Sequence, residues 1–292
     1  MYFFELFWIC SCYLTFSVGY NILAIVPYHG YSHVKFFDPI ISELVSRGHN
    51  LTVLLHRCLN IESQNYKELL LSYDSHVGTH LFDVETFDWP SWMVVWAGPS
   101  FLIAYGISSC QHLLSNSEVQ KLMDSSDHFD LILSELFDSE CNLGFKFKFK
   151  APLVGLSSNT LMAWYTDRFG QPDNPSYIPN GHLSYSAKMN FFERLGNVLG
   201  DIMLKANYYF ATQKIQLISE KYFKTKMPSF FDMAKNTSLV LVNSYWALHF
   251  PRPNVPAVIE IGGSHILPSK ALPKVRNLSP KFQAVPSAVL EY

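Results

Sequence analysis

The chain has 292 residues, of which 49% are hydrophobic and 15% aromatic, and its formal net charge at pH 7 is −2. This apolar content supports a large packed core and excludes a disordered chain, and the length allows one or two domains. The basic residues are scattered along a nearly neutral chain, so there is no positive field for nucleic acid. The composition predicts a globular protein without a nucleic-acid partner.

The chain begins with an apolar segment, residues 1–19, that is too short to span a bilayer comfortably. Ser17 and Gly19 have the spacing of a signal-peptidase site, which predicts a cleaved secretory signal. No later stretch is long and apolar enough for a transmembrane helix. The sequons at Asn50, Asn236 and Asn277 are compatible with a lumenal path. We therefore expect a product in the endoplasmic reticulum lumen or outside the cell.

The segment Tyr20–Leu55 has the pattern of a strand, a loop, a helix and a second strand. Residues 21–27 are almost all apolar, as in a strand covered on both faces, and Gly30 favours a turn. From Val34 the apolar residues recur at the spacing of one helix face. Residues 50–55 form the next strand. The segment is thus predicted to open an α/β fold.

His33 lies where the first strand meets the amino terminus of that helix, the edge at which open α/β sheets hold ligands. The helix dipole disfavours an imidazolium, so we expect a neutral ring that can accept a proton. A capping or solvated loop histidine is the alternative reading of this position. His29, four residues earlier, is a second candidate for the same role.

Glu135 stands at the carboxyl end of a second buried-type strand, Asp130–Ser134. If the sheet is parallel, Glu135 and His33 project from the same edge. A carboxylate there can fix the tautomer of the histidine and stabilise the imidazolium formed when it takes a substrate proton. The alternative is an acid in the first turn of the next helix, where the helix dipole favours it.

The remaining pattern predicts four further helices or helix ends. A helix packed on the sheet is expected over Ile61–Leu71, and a polar helix over Gln111–Met123. The alternating run Phe145–Lys150 is placed at the end of a helix, because a strand at Leu153–Leu156 follows directly. A long amphipathic helix covers Asn190–Phe223.

Aromatic residues are concentrated between Val84 and Ala104, and they can form core or line an apolar ligand pocket. They are Phe87, Trp89, Trp92, Trp96 and Phe101.

Three cysteines remain after the signal segment: Cys58, Cys110 and Cys141. They allow at most one disulfide with one free thiol, and three buried reduced thiols are the favoured reading. His76 and His80 are four residues apart but have Gly78 between them and no third ligand nearby, so no metal site is predicted.

Seven segments, in unbroken order over about residues 20–266, resemble the N-terminal half of an animal, insect-type UDP-glycosyltransferase of the UDP-glucuronosyltransferase family. They are Ser32–His49, Phe129–Phe145, Phe149–Ser158, Asn174–Asn180, Met189–Asn197, Leu239–Pro253 and Val258–Ile266. The first segment contains His33 and the second contains Glu135.

The resemblance implies a GT-B fold of two Rossmann-like domains, with the acceptor bound by the first and the UDP-sugar mostly by the second. It implies that His33 deprotonates the acceptor hydroxyl with support from Glu135, and that in-line attack inverts the anomeric carbon. UDP-sugar is then a co-substrate, and no metal or other cofactor is implied. Vertebrate members usually have aspartate at the position of Glu135, so Asp138 is kept as another partner for the histidine.

The family pattern also suggests which residues meet the two substrates. Acceptor contacts are assigned to His29, Tyr31, Trp89, Trp92 and Trp96, and donor-proximal positions to Ser157, Gly262 and Gly263.

The expected organisation is a signal over residues 1–19, an acceptor-binding domain over residues 20–266, and a linker remnant with a divergent tail over residues 267–292. In the family the matching linker leads into the donor-binding domain and a membrane anchor, which the tail does not resemble. We therefore expect a truncated glycosyltransferase that transfers glucose or glucuronate to a small lipophilic acceptor and has little activity alone. The alternative is a non-catalytic lumenal module that binds lipophilic ligands or modulates full-length relatives. The partners expected from the resemblance include full-length relatives in a homo- or hetero-oligomer.

Overall fold

A computed structural model describes residues 19–71, 104–137, 140–249, 251–266 and 268. Within these ranges, seven parallel strands form one sheet in the order β3-β2-β1-β4-β5-β6-β7. They are β1 (Asn21–Val26), β2 (Asn50–Leu55), β3 (Tyr66–Leu70), β4 (Leu131–Glu135), β5 (Leu153–Ser157), β6 (Leu239–Val242) and β7 (Val258–Glu260). The strand order reverses between β1 and β4, so the predicted Rossmann-like α/β class is confirmed.

Helices cover both faces of this sheet. They are α1 (Tyr31–Ser46), α2 (residues 104–115), α3 (Ser117–Asp124), α4 (Asn142–Phe149), α5 (Thr166–Phe169), α6 (Phe191–Phe223), α7 (Phe230–Lys235) and α8 (Trp246–His249), with a 3₁₀ turn at Ala163–Tyr165. In the described part of the chain, no helix combines the length and the apolarity that crossing a bilayer requires. The helix end predicted for the alternating Phe-Lys run is confirmed by α4, and the long helix by α6.

The central strands alternate between two apolar cores, as the period of two residues in a strand requires. Ala24 and Val26 of β1 face Phe37 of α1. Leu23 and Ile25 face the opposite core, built with α2, α3, α4, α6 and α7. Because both faces of β1 are covered, its sequence is an apolar run rather than an alternating one.

The helix predicted over Ile61–Leu71 is wrong, because Tyr66–Leu70 forms the edge strand β3. This segment pairs in parallel with β2 from Leu51 to Leu55, and Leu69 is buried while Leu70 is exposed. The N–H and C=O groups along the outer edge of β2 need hydrogen-bond partners, and this segment supplies them as a strand. This tertiary requirement outweighs the helical spacing of the apolar side chains in the segment.

The single helix predicted over Gln111–Met123 is divided in two. The chain breaks at Asn116, whose side chain accepts hydrogen bonds from the N–H groups of Glu118 and Val119 and so caps the start of α3. Asparagine is among the preferred residues at this position, which explains the break.

The prediction of three reduced, buried cysteines is wrong. Cys110 of α2 and Cys141, just before α4, form a disulfide with their Cα atoms 5.8 Å apart. Cys58 is a free thiol and is exposed. The pairing arises because α2 and α4 pack in the same core, a neighbourhood that the spacing of the cysteines does not reveal.

Candidate active site

His33 is the third residue of α1 and is 6% exposed. The tight loop before the helix depends on Gly30: a Cβ atom there would lie 2.5 Å from the Tyr28 ring and 3.1 Å from Cδ2 of His33. Such distances are well inside van der Waals contact. The absence of a side chain at residue 30 therefore lets the loop bring Tyr28 against the histidine.

Glu135 is the last residue of β4 and is fully buried. Because β4 pairs in parallel with β1, the carboxyl ends of the two strands are adjacent. Nδ1 of His33 and Oε1 of Glu135 form a hydrogen bond, and Oε2 accepts a second one, 3.2 Å long, from the N–H group of Tyr28. A buried carboxylate is stable only when its oxygens have such partners. The structure thus brings together the two residues predicted to form the catalytic pair.

Two aromatic rings hold the imidazole of His33 in place. The Tyr28 ring centroid lies 4.2 Å from that of the imidazole, and the Phe137 ring meets it edge-on at 4.7 Å. These two aromatic rings also contact each other at 4.5 Å. Packing on several sides limits rotation of the histidine and preserves its alignment with Glu135.

Ser158, directly after β5, is a site residue that the sequence reasoning missed. Its Oγ atom lies 2.9 Å from Nδ1 and 3.3 Å from Nε2 of His33, and its carbonyl accepts a hydrogen bond from the Asn243 side chain. The neighbouring Ser157, predicted near the donor, is buried and donates its hydroxyl to the carbonyl of Asn159. The position of Ser158 at the carboxyl end of a strand was the available signal.

His29 is engaged away from Glu135. Its Nδ1 atom lies 3.0 Å from the hydroxyl of Tyr105, and its ring stacks on His56 at 3.5 Å. Burial, together with the nearby rings of His29 and His112, lowers the pKa of His56 to about 3. Burial also raises the pKa of Tyr105 above its usual value. His29 therefore belongs to a cluster of histidine and tyrosine rings beside His33 and Glu135. The position of His56 directly after β2 was the signal that could have found it.

The other predicted site residues lie at different places along the edge. Tyr31 is 57% exposed at the start of α1, with the Arg57 guanidinium 5.3 Å from its ring. Gly262 and Gly263 form the turn after β7, where the N–H group of Gly262 donates to the carbonyl of Ser244.

Several predictions concern residues outside the described ranges: the signal segment, the zinc-site candidates, the alternative acid, the tail and the aromatic cluster. Among the residues in this group are His76, His80, Phe87, Trp89, Trp92, Trp96, Phe101, Asp138 and Asn277. Within the described ranges, no three side chains of His, Cys, Asp or Glu are grouped so that they could hold a metal ion.

The histidine and carboxylate have a defined chemical capacity. When Glu135 is ionised it can only accept a hydrogen bond, and the proton between the two groups is then carried by Nδ1 of His33. Nε2 then carries the lone pair and can accept a proton from a bound hydroxyl. Glu135 would stabilise the imidazolium that results.

The fold and the site define a Rossmann-like α/β domain with a histidine–carboxylate pair at the carboxyl edge of its sheet. A profile of the family described as "UDP-glucoronosyl and UDP-glucosyl transferase" matches residues 22–280. The chain therefore belongs to the UDP-glucuronosyl and UDP-glucosyl transferase family, as the resemblance of its segments predicted.

Individual relatives agree with this family. UDP-glycosyltransferase UGT5 of Dactylopius coccus is 31% identical over 272 residues, which is 90% of this chain and 51% of the relative. UDP-glucuronosyltransferase 2B7 of Rattus norvegicus is 28% identical, with 84% of this chain and 49% of the relative covered. The chain spans about half the length of the curated relatives it matches.

Solved structures with a similar arrangement include the glycosyltransferase SnogD from Streptomyces nogalater, at a TM-score of 0.45 and 12% identity over 88% of this chain and 55% of that one. The calicheamicin glycosyltransferase CalG4 gives a TM-score of 0.42 and 15% identity over 84% and 53% of the two chains.

Proposed function

We propose that this chain is the acceptor-binding part of a UDP-sugar-dependent glycosyltransferase in which His33 is the general base. The reaction would transfer glucose or glucuronate from a UDP-sugar to the hydroxyl group of a small lipophilic acceptor. The observation that carries this proposal is the hydrogen bond between Nδ1 of His33 and Glu135, which leaves Nε2 as the proton acceptor.

In the proposed step the acceptor oxygen forms a bond to the anomeric carbon while its proton passes to Nε2 of His33. The bond between that carbon and the diphosphate breaks, and UDP leaves with the electron pair. Attack opposite the leaving group inverts the configuration. Positioned general bases contribute about 10²- to 10⁴-fold to such rates.

Glu135 would act by keeping the tautomer and by stabilising the imidazolium. Its second oxygen is held by the N–H group of Tyr28, so the carboxylate cannot rotate away without losing a hydrogen bond. The aromatic rings of Tyr28 and Phe137 exclude water from the imidazole faces, which strengthens the charge interaction.

The departing diphosphate must be stabilised by groups that bind the UDP-sugar. In the GT-B fold that the family resemblance implies, these groups belong mostly to the second Rossmann-like domain. Such electrostatic terms carry a large share of catalysis in many enzymes. We therefore expect the 292-residue chain alone to bind acceptor but to transfer little sugar.

The test joins this chain to the C-terminal half of the Dactylopius coccus relative and measures glucosylation and glucuronidation of a small phenol. Wild-type chimaera should be active and the His33→Gln chimaera should lose about 10²-fold or more. Phenol binding to the chain alone is followed by fluorescence in parallel. An active chimaera that tolerates His33→Gln would reject the base assignment, and acceptor binding without any transfer would favour the lumenal binding module.

A further inference from the structure

A small polar cavity lies at the carboxyl ends of β6 and β7. Its walls come from Val242 and Glu260 at the strand ends, from the segment 160–181 after β5, and from Asp201 of α6. The cavity has a volume of about 80 Å³, which gives room for a molecule of about four to six non-hydrogen atoms. Its lining includes neither His33 nor Glu135, so it is a site separate from the candidate catalytic pair.

Two buried amide side chains hold the walls of this cavity in place. Gln171 donates a hydrogen bond to the carbonyl of Pro253 and accepts one from the N–H group of Val255. Asn180 is tied to α6, because its backbone N–H group donates to the side chain of Asn197. The shape of the cavity therefore exists before any ligand binds, which lowers the entropic cost of binding.

Asp201 contributes a carboxyl group that is only half satisfied. The residue is 9% exposed, and its Oδ1 atom accepts a hydrogen bond from the side chain of Asn180. Among the groups that the structure describes, none donates to Oδ2. Burial raises the pKa of this carboxyl group, as expected where solvation is poor. Because Asp201 lines the cavity, a ligand there can supply the missing donor.

The lysine closest to Asp201 along α6 does not neutralise it. Lys205 lies four residues further on and forms ion pairs with both Asp167 and Asp173. Two carboxylates already share this one ammonium group. Lys205 therefore brings no spare positive charge to the cavity.

The arginine of the cavity also has an acidic neighbour. Burial lowers the pKa of Arg252, and the charge of Glu260 opposes that effect. Glu260 is itself held by the hydroxyl of Ser244, which donates to its Oε1 atom at 2.7 Å. The charges of Arg252 and Glu260 thus compensate each other. The carboxylate of Asp201 is left without a cation of its own.

This imbalance selects the class of ligand. A cavity with an excess of carboxylates attracts cations and repels anions. In the described part of the chain, no group of three His, Cys, Asp or Glu side chains could hold a metal ion, so the complementary cation is an organic one. A primary ammonium group is compact, carries three N–H donors and forms charge-assisted hydrogen bonds to a carboxylate.

We propose that this cavity binds a small primary ammonium compound, whose N–H groups donate to Oδ2 of Asp201. The site does not depend on the assignment of His33 as the general base. It gives the domain a second ligand, of opposite character to a lipophilic acceptor.

Calorimetry of the full chain with ethanolamine near neutral pH tests the site. Wild type should bind this cation, and Asp201→Asn should weaken binding by about 10- to 100-fold, the loss expected for a hydrogen bond to a charged group. The matched control is Asp232→Asn, which removes the same charge from a side chain that is 71% exposed and should bind as wild type does.

A series of ligands on the wild-type chain gives a readout that needs no variant. Ethylene glycol has the size of ethanolamine without its charge and should bind at least about 10-fold more weakly. Acetate should not bind. In urea denaturation, ethanolamine should raise the midpoint of wild type but not that of Asp201→Asn, because only a bound ligand stabilises the folded chain.

Three results would overturn the proposal. They are no binding of ethanolamine to wild type, equal binding by wild type and Asp201→Asn, and equal binding of ethanolamine and ethylene glycol. A preference for acetate would also reject it, because Arg252 would then be the anchor and the ligand an anion.

Discussion

His33 and Glu135 are 102 residues apart in the chain, yet Nδ1 of the histidine and Oε1 of the glutamate share a hydrogen bond in the protein interior. Their contact follows from the pairing of β1 with β4, which aligns the carboxyl ends of two distant strands. Helix α1 follows β1 and carries the histidine at this same edge. The strand order reverses between β1 and β4, so the two residues lie on either side of the reversal. This geometry is what the proposed roles of the two residues require.

Replacing Glu135 tests the role of the carboxylate. Glu135→Gln in the active chimaera should lower kcat/KM by about 10²- to 10⁴-fold, because an amide can hold the wrong histidine tautomer and cannot stabilise an imidazolium. Glu135→Asp should retain more activity than the amide. Asp130→Asn, near the amino end of the same strand, is the control and should have little effect on the rate. Equal rates for wild type and Glu135→Gln would refute the role.

Gly30→Ala tests the close approach beside His33. The new Cβ atom would press on the Tyr28 ring at 2.5 Å, so the free energy of unfolding should fall by about 1–3 kcal/mol and activity should drop with it. Gly181→Ala, where no atom lies within 4 Å of the added Cβ, should change neither quantity. Urea denaturation and chimaera kinetics provide the measurements, and a neutral Gly30→Ala would show that the loop relaxes freely.

The Cys110–Cys141 disulfide should be a major support of the core on the α2 side. Cys110→Ser together with Cys141→Ser should lower the free energy of unfolding by about 2–5 kcal/mol, as loss of a native disulfide usually does. Cys58→Ser should leave stability unchanged, because that thiol is exposed. Thermal melts of wild type, the double variant and Cys58→Ser under non-reducing conditions provide the measurement. Indistinguishable melting curves for wild type and the double variant would show that the disulfide does not stabilise the fold.

The buried ion pair between Arg168 and Glu140 should be sensitive to loss of one partner. Both side chains are at most 4% exposed, so Glu140→Gln leaves an uncompensated guanidinium in the interior. We expect a loss of about 3–5 kcal/mol of folding free energy. The exposed pair Arg47–Glu43 is the control, and Glu43→Gln should change stability by less than about 1 kcal/mol. Similar effects from both substitutions in chemical denaturation would contradict the argument.

Acid should destabilise the protein through His56. Its pKa is about 3 in the folded chain, whereas an unfolded histidine has a pKa of about 6.5, so the unfolded state binds more protons. The stabilisation is complete above about pH 6.5 and is lost as the pH falls from there toward 3, at up to about 1.4 kcal/mol per pH unit.

Urea denaturation between about pH 7.5 and 5 checks this pH dependence. His56→Gln should flatten the slope, and His128→Gln, at a side chain that is 75% exposed, should not. An unchanged slope in His56→Gln would assign the acid sensitivity to other groups.

The parts of the fold that could be predicted were those with a local cause. β1 and β2 are apolar runs covered on both faces, and α6 carries a helical period over its whole length, so their positions follow from pattern alone. β3 could not be predicted, because the apolar spacing in Tyr66–Leu70 fits a helix and only the unpaired edge of β2 selects a strand. The disulfide between Cys110 and Cys141 could not be predicted either, because it depends on the packing of α2 beside α4.

For the candidate site, the amino-acid sequence by itself determined that His33 lies at a strand-to-helix corner and that Glu135 ends a buried strand, because burial and periodicity are local properties. Only the tertiary structure decided that β1 and β4 are neighbours, that Ser158 joins the histidine, and that His29 turns toward His56 instead. Contacts of this kind depend on strand order and on the packing of distant side chains. Neither is encoded in the spacing of residues along one segment.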